Sequence, residues 1–85
     1  RYAVDQFKMV GVITGADRLR AILVDPSGKT HFVSEKSKIG LRKGTVRRIQ
    51  ADVLFVREKS LNVLGQEEWV EIELRLPAEG VAGAK

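Results

Sequence analysis

Apolar and polar residues alternate along much of this chain with a period of two, and no segment shows a helical period. The cleanest case is Glu68–Leu76, where Val70, Ile72, Leu74 and Leu76 interleave with Trp69, Glu71, Glu73 and Arg75. Successive side chains of an extended strand point to opposite faces, so this pattern predicts a strand with one side buried and one side wet. Phe7–Ile13 reads as the first strand, with Met9, Val10, Val12 and Ile13 in a near-continuous apolar run. Thr14–Arg18, with Gly15 and Asp17, reads as a turn. In Leu19–Asp25, Leu19, Ala21 and Leu23 point one way and Arg20, Ile22 and Val24 the other. Lys29–Val33, Thr45–Gln50 and Val53–Glu58 are further strands, with a short one near Ile39. Lys59–Gln66 is polar apart from Leu61, Val63 and Leu64, and Gly65 allows a turn.

Asp25-Pro26-Ser27-Gly28 is the strongest local signal. Asp, Pro and Gly at the first, second and fourth places predict a type I turn closing a hairpin through a glycine bulge. That turn sets a register: Asp25 opposite Lys29, Leu23 opposite His31, Ile22 opposite Phe32. Gly40 and Gly44, four apart in the loop Ser34–Gly44, predict tight turns through positive φ.

Six or seven short strands at roughly 8–12-residue spacing argue for an all-β fold. The expectation is a small β-sandwich of mainly antiparallel strands over residues 1–76, followed by a flexible tail over 77–85. Eighty-five residues make one small domain, and 44% hydrophobic content is enough for it to fold. Cysteine is absent, which excludes disulfides and thiolate metal sites. No run of 18 apolar residues is present to span a membrane as a helix. The chain starts at Arg1 without an initiator methionine, so any signal peptide or anchor is expected upstream.

Charge is unevenly spread. The net is +4, yet Lys36, Lys38, Arg42, Lys43, Arg47 and Arg48 fall together with no acid among them. Glu67, Glu68, Glu71, Glu73 and Glu79 form an opposing block with Arg75 alone. The basic block can attract nucleic acid, acidic lipid or an acidic protein face, or pair with the acidic block on a neighbouring strand. A solvated loop that keeps sheet edges apart is the simpler reading.

Nothing in the sequence resembles catalytic machinery. His31 is the single histidine, and a lone strand histidine is far more often a packed or surface residue than a catalyst. The carboxylates of the last strand alternate with apolar residues on a wet face, unlike an acid–base pair, which needs burial to separate its pKa values. Neither a cofactor nor a metal is called for. Phe7, Phe32 and Phe55 are expected in the core. Trp69 falls on the charged face, where it covers the sandwich end or, less simply, anchors a partner. A sandwich with free edges offers unpaired backbone groups to which a partner strand can add. The candidate partner-contact residues are Lys8, Arg42, Lys43, Arg47, Arg48 and Trp69.

Tyr2-x-Val4-x-x-Phe7-x-Met9-Val10-Gly11 resembles the opening of the periplasmic domain of the PilP family, inner-membrane lipoproteins of type IV pilus assembly. The Asp25–Gly28 hairpin, Ile39-Gly40, Gly44-x-Val46-x-x-Ile49 and the apolar strand ending in Glu58 follow in the family's order, so the resemblance covers about residues 2–76. One departure stands at Lys36, where the family tends to carry glycine, and the turn there need not follow the family. The resemblance implies a periplasmic β-sandwich preceded by a lipidated N-terminus and a long flexible linker. It implies association with PilN and PilO through that linker, and approach of the folded domain to the periplasmic part of the outer-membrane secretin PilQ. The related type II secretion inner-membrane component uses a similar domain against its secretin. The implied role is a structural coupler. The alternative comes from Lys43-Gly44-Thr45-Val46, which resembles the KOW-type barrel that binds RNA or DNA. Stacking aromatics, usual in such modules, are missing from positions 33–54.

Overall fold

Seven antiparallel strands form two sheets in the computed structural model, which describes residues 2–15 and 17–77. β1 (Lys8–Thr14), β2 (Leu19–Val24) and β3 (Thr30–Val33) make the first sheet in that order. β4 (Lys38–Ile39), β5 (Gly44–Ile49), β6 (Val53–Leu61) and β7 (Glu67–Arg75) make the second. A single 3-10 turn at Val4–Gln6 precedes them, its entry held by Gln6 Oε1, which accepts the Ala3 N–H at 3.0 Å. The all-β sandwich is thus as the alternation predicts. The expected tail lies, from residue 78 on, outside the described residues.

The inward faces of both sheets share one core. Met9, Ala21, Leu23 and Val33 come from the first sheet, and Ile39, Val46, Ile49, Leu54, Val56 and Leu74 from the second. Val4 and Phe7 join it from the segment before β1. Ala21 with Leu23, and Leu54 with Val56, are spaced by two and wholly buried, as half-buried strands require. The Asp25–Gly28 hairpin has the expected register. Asp25 N–H donates to the Lys29 carbonyl at 3.0 Å, and Leu23 and Ile22 stand opposite His31 and Phe32. Gly28 takes φ +90°, the left-handed bulge residue of that loop.

Two β-bulges explain where the simple alternation breaks. In β1 the register slips between Met9 and Gly11, leaving Val10 unpaired. The slip changes phase, so that Met9 and Val12, three apart, both meet the core. In β5 it slips between Val46 and Arg48. Val46 and Ile49 are buried while Arg47 and Arg48 are both exposed.

Three expectations need correction. Phe32 is 56% exposed and Phe55 is half-buried on an outer face; only Phe7 joins the core. Phe32 stands between His31 and Val33, so the pleat turns it outward with Ile22. Second, the buried face of the last strand is shorter than its pattern. Leu74 is buried and Ile72 half-buried, but Val70 is exposed. β5 ends its pairing at Thr45 opposite Arg57, so the far half of the β6–β7 hairpin runs on as a bare ribbon. Third, of the two loop glycines only Gly40 has positive φ, at +87°. A Cβ on Gly44 would stand 2.7 Å from Val56 Cγ1 and 2.9 Å from Glu58 Cγ, so glycine is needed there for close strand approach. The left-handed residues of the loop are instead Lys36 (φ 77°) and Lys43 (φ 53°), together with Gly40.

Candidate protein-binding surfaces

The most tightly built polar feature is at the β2–β3 hairpin. Asp25 Oδ1 accepts the Ser27 N–H at 2.9 Å, the Ser27 hydroxyl at 2.6 Å and the Lys29 N–H at 3.0 Å. Its Oδ2 lies 2.8 Å from His31 Nε2. An ionised carboxylate only accepts, so Nε2 carries the proton and donates. The His31 hydrogen bond, then those from Ser27 and Lys29, hold the Asp25 carboxyl well below the usual carboxylate range. The His31 ring also meets Phe7 edge-on, with centroids 5.3 Å apart. His31 is therefore a packed residue that orders a turn. Among the described residues no three acids or histidines gather as a metal site.

The outer face of the first sheet is apolar. Val10 is 52% exposed, and Ile13 and Phe32 are exposed beside half-buried Ile22 and Val24. The strand register puts Lys8 against Val24 and Ile13 against Arg20, so cations rim the patch. Lys8 is the one predicted contact residue on this sheet. Neighbouring exposed apolar side chains on adjacent strands mark a contact surface more strongly than scattered ones.

The remaining predicted contact residues border the second sheet. Arg42 and Lys43 stand in the β4–β5 turn, where the Leu41 N–H donates to the Tyr2 carbonyl at 2.7 Å and ties the loop to the N-terminal segment. Arg42 shares a shallow surface depression with Lys59 and Glu67. Arg47 and Arg48, both turned out by the bulge, flank Phe55 and Glu71. None of these four cations has a carboxylate within 4 Å among the described residues. Among the described residues the acidic block forms no ion pair with them, and β6 lies between β5 and β7. Trp69 is exposed on the outer face of β7, with Arg57 4.8 Å and Lys59 5.2 Å from its ring centroid. It does not cover the sandwich end. Two cross-strand cations stack on it instead, each such contact being worth about 0.5–1 kcal/mol at an exposed site. The six predicted residues thus form no single patch: Lys8 lies on one sheet and the other five on or beside the opposite one. The apolar patch of Val10, Ile13 and Phe32 escaped the list, although the register of Ile22 with Phe32 already implied it.

This arrangement defines a small two-sheet β-sandwich module with an exposed apolar face on one sheet and exposed cations on and beside the other. The chain belongs to the PilP family: the family model described as "Pilus assembly protein, PilP" matches residues 1–77. It is therefore a protein of pilus biogenesis. The solution structure of PilP from Pseudomonas aeruginosa superposes with TM-score 0.81 at 24% identity, over 89% of this chain and 68% of that one. A domain from the type IV pilus biogenesis lipoprotein PilP of the same species gives TM-score 0.75 at 24% identity, over 88% and 85%. A domain from the Neisseria meningitidis PilP pilot protein gives 0.74 at 17%, over 91% and 67%. At these identities the likeness is one of fold. No curated protein matches the chain. Nothing in the fold or in these matches supports the KOW-like nucleic-acid reading.

Proposed function

We propose that this domain is a non-catalytic coupler in type IV pilus biogenesis, linking the inner-membrane assembly complex to the outer-membrane secretin PilQ by protein–protein contact. In this reading it works in the periplasm, tethered to the inner membrane through an upstream lipid anchor. PilN and PilO engage the upstream linker, and the folded domain meets the secretin's periplasmic region. The observation that carries the reading is the apolar outer face of β1, β2 and β3, bordered by Lys8 and Arg20. Such a face loses water-exposed hydrocarbon when a folded partner covers it. Arg42, Lys43, Arg47 and Arg48 lie away from it and act by orientation and steering, over a screening length of about 8–10 Å near physiological salt. Trp69 is a secondary anchor on that side.

The test is a titration of the domain against purified secretin periplasmic region, with a nonspecific oligonucleotide as control. The double variant Ile13→Glu, Phe32→Glu should stay folded, since both side chains are exposed, and should lose binding. Undiminished binding by this variant would remove the face from the interface. Oligonucleotide binding with a steep salt slope would return the nucleic-acid reading.

A further inference from the structure

The four sheet edges of this domain are not equally protected. β1 is bulged at Val10, β4 is two residues long, and β7 carries Glu67, Glu68, Glu71 and Glu73. Bulges, shortness and charge are the usual means of blunting an edge. Among the described residues β3 pairs only with β2, and its Thr30–Val33 has no proline, bulge or charged carboxylate or ammonium side chain.

The hairpin register fixes what that edge presents. Residues of an antiparallel ladder alternate between pointing their N–H and C=O at the partner and pointing them away. Asp25 N–H donates to the Lys29 carbonyl, so Lys29, His31 and Val33 turn toward β2. Thr30 and Phe32 therefore direct two N–H and two C=O groups outward, and no backbone partner takes them among the described residues. They border a groove of about 1060 Å³ between β3 and Ser37–Gly40 of the opposite sheet. Tyr2, Phe7, Val33 and Ile39 give it apolar walls, and Lys29 and Lys38 also line it. Among the described residues the one carboxylate lining it is Asp25, whose oxygens are already engaged by Ser27, Lys29 and His31.

We propose that this groove receives an extended acidic peptide segment, which adds to β3 as a further strand. Its backbone pairs with Thr30 and Phe32, and its carboxylates lie toward Lys29 and Lys38. The alternate apolar side chains leave the groove on the other face of the added strand. Backbone pairing supplies affinity and the alternate side chains supply selectivity. The site is separate from the outer-face docking above: that contact is read by side chains of the sheet face, this one by the strand's backbone edge.

The probe is a capped synthetic peptide of alternating valine and glutamate, with alternating valine and lysine as control. Titration of the glutamate peptide should shift the backbone amide resonances of Thr30 and Phe32. The double variant Lys29→Glu, Lys38→Glu should weaken it about tenfold or more. Thr30→Pro deletes one outward donor without touching the β2 ladder, as proline does on an edge, and should abolish binding while secretin docking persists. The proposal is overturned if shifts map to another surface, if the lysine peptide binds equally well, or if no binding occurs at millimolar peptide. It is equally overturned if a folded Thr30→Pro binds undiminished. Should Thr30→Pro not fold, the lysine double variant decides alone, and undiminished binding by it ends the idea.

Discussion

His31 Nε2 and Asp25 Oδ2 stand 2.8 Å apart and close the base of the β2–β3 hairpin with a charge-assisted hydrogen bond. Only 5% of the Asp25 side chain is exposed, against 33% of that of His31. The Asp25 carboxyl is held below its ordinary range in the folded state. A depressed acid contributes stability that is complete above the unfolded pKa, about 4, and is lost as pH falls toward the folded value. Urea midpoints should therefore fall as the pH is lowered from about 4. Asp25→Asn should be less stable at neutral pH and show a flatter acid limb. An acid limb as steep as the parent's would mean that Asp25 does not set this dependence.

Lys36 lies in the turn Ser34–Ser37, closed by the Ser37 N–H on the Ser34 carbonyl at 3.0 Å. At φ 77° it occupies a region that side chains with a Cβ enter at a cost of about 1–2 kcal/mol. Glycine enters it freely. Lys36→Gly should raise stability by up to about 1 kcal/mol, a gain of about 4–8 °C per kcal/mol for a domain of this size. Gly40 supplies the opposite case. Its φ is +87°, and an added Cβ would come within 3.2 Å of the Val4 backbone nitrogen. Gly40→Ala should lower stability by roughly 2–4 kcal/mol, combining backbone strain with overpacking. Thermal unfolding of the two variants beside the parent checks both signs.

Arg47 and Arg48 are exposed on the β5 bulge without an ion-pair partner among the described residues. Arg47→Glu with Arg48→Glu should leave the unfolding free energy within about 0.5 kcal/mol of the parent. If their role is steering, association with the secretin region should slow at low salt and lose much of its salt dependence. Association rates at two ionic strengths measure this directly. An unchanged rate would restrict the interface to the apolar face.

Much of the fold was legible because local chemistry fixes it. The Asp25-Pro26-Ser27-Gly28 loop set the β2–β3 register to the residue, since its turn leaves few alternatives. The period of two located the strands, within a residue or so at most ends. The bulges were harder to see, although they leave a mark. Met9 with Val12, and Val46 with Ile49, are core pairs spaced by three, a spacing that neither a regular strand nor a wet loop explains. The six contact candidates were legible as charges and an aromatic, but not as a site. Their grouping depends on which sheet each strand joins, and a one-dimensional charge pattern holds no such information. The exposure of Phe32 followed from the pleat once the register was known.

By itself the sequence determined the strands, the hairpin between Leu23 and His31, and the family, because each rests on residues close together in the chain. Tertiary structure alone decided that β6 stands between the basic and acidic blocks, that Val70 outruns the core, and that Thr30 and Phe32 face an open groove. Those outcomes come from long-range pairing, where the partner of a strand is chosen by the packing of two whole sheets and not by its own residues.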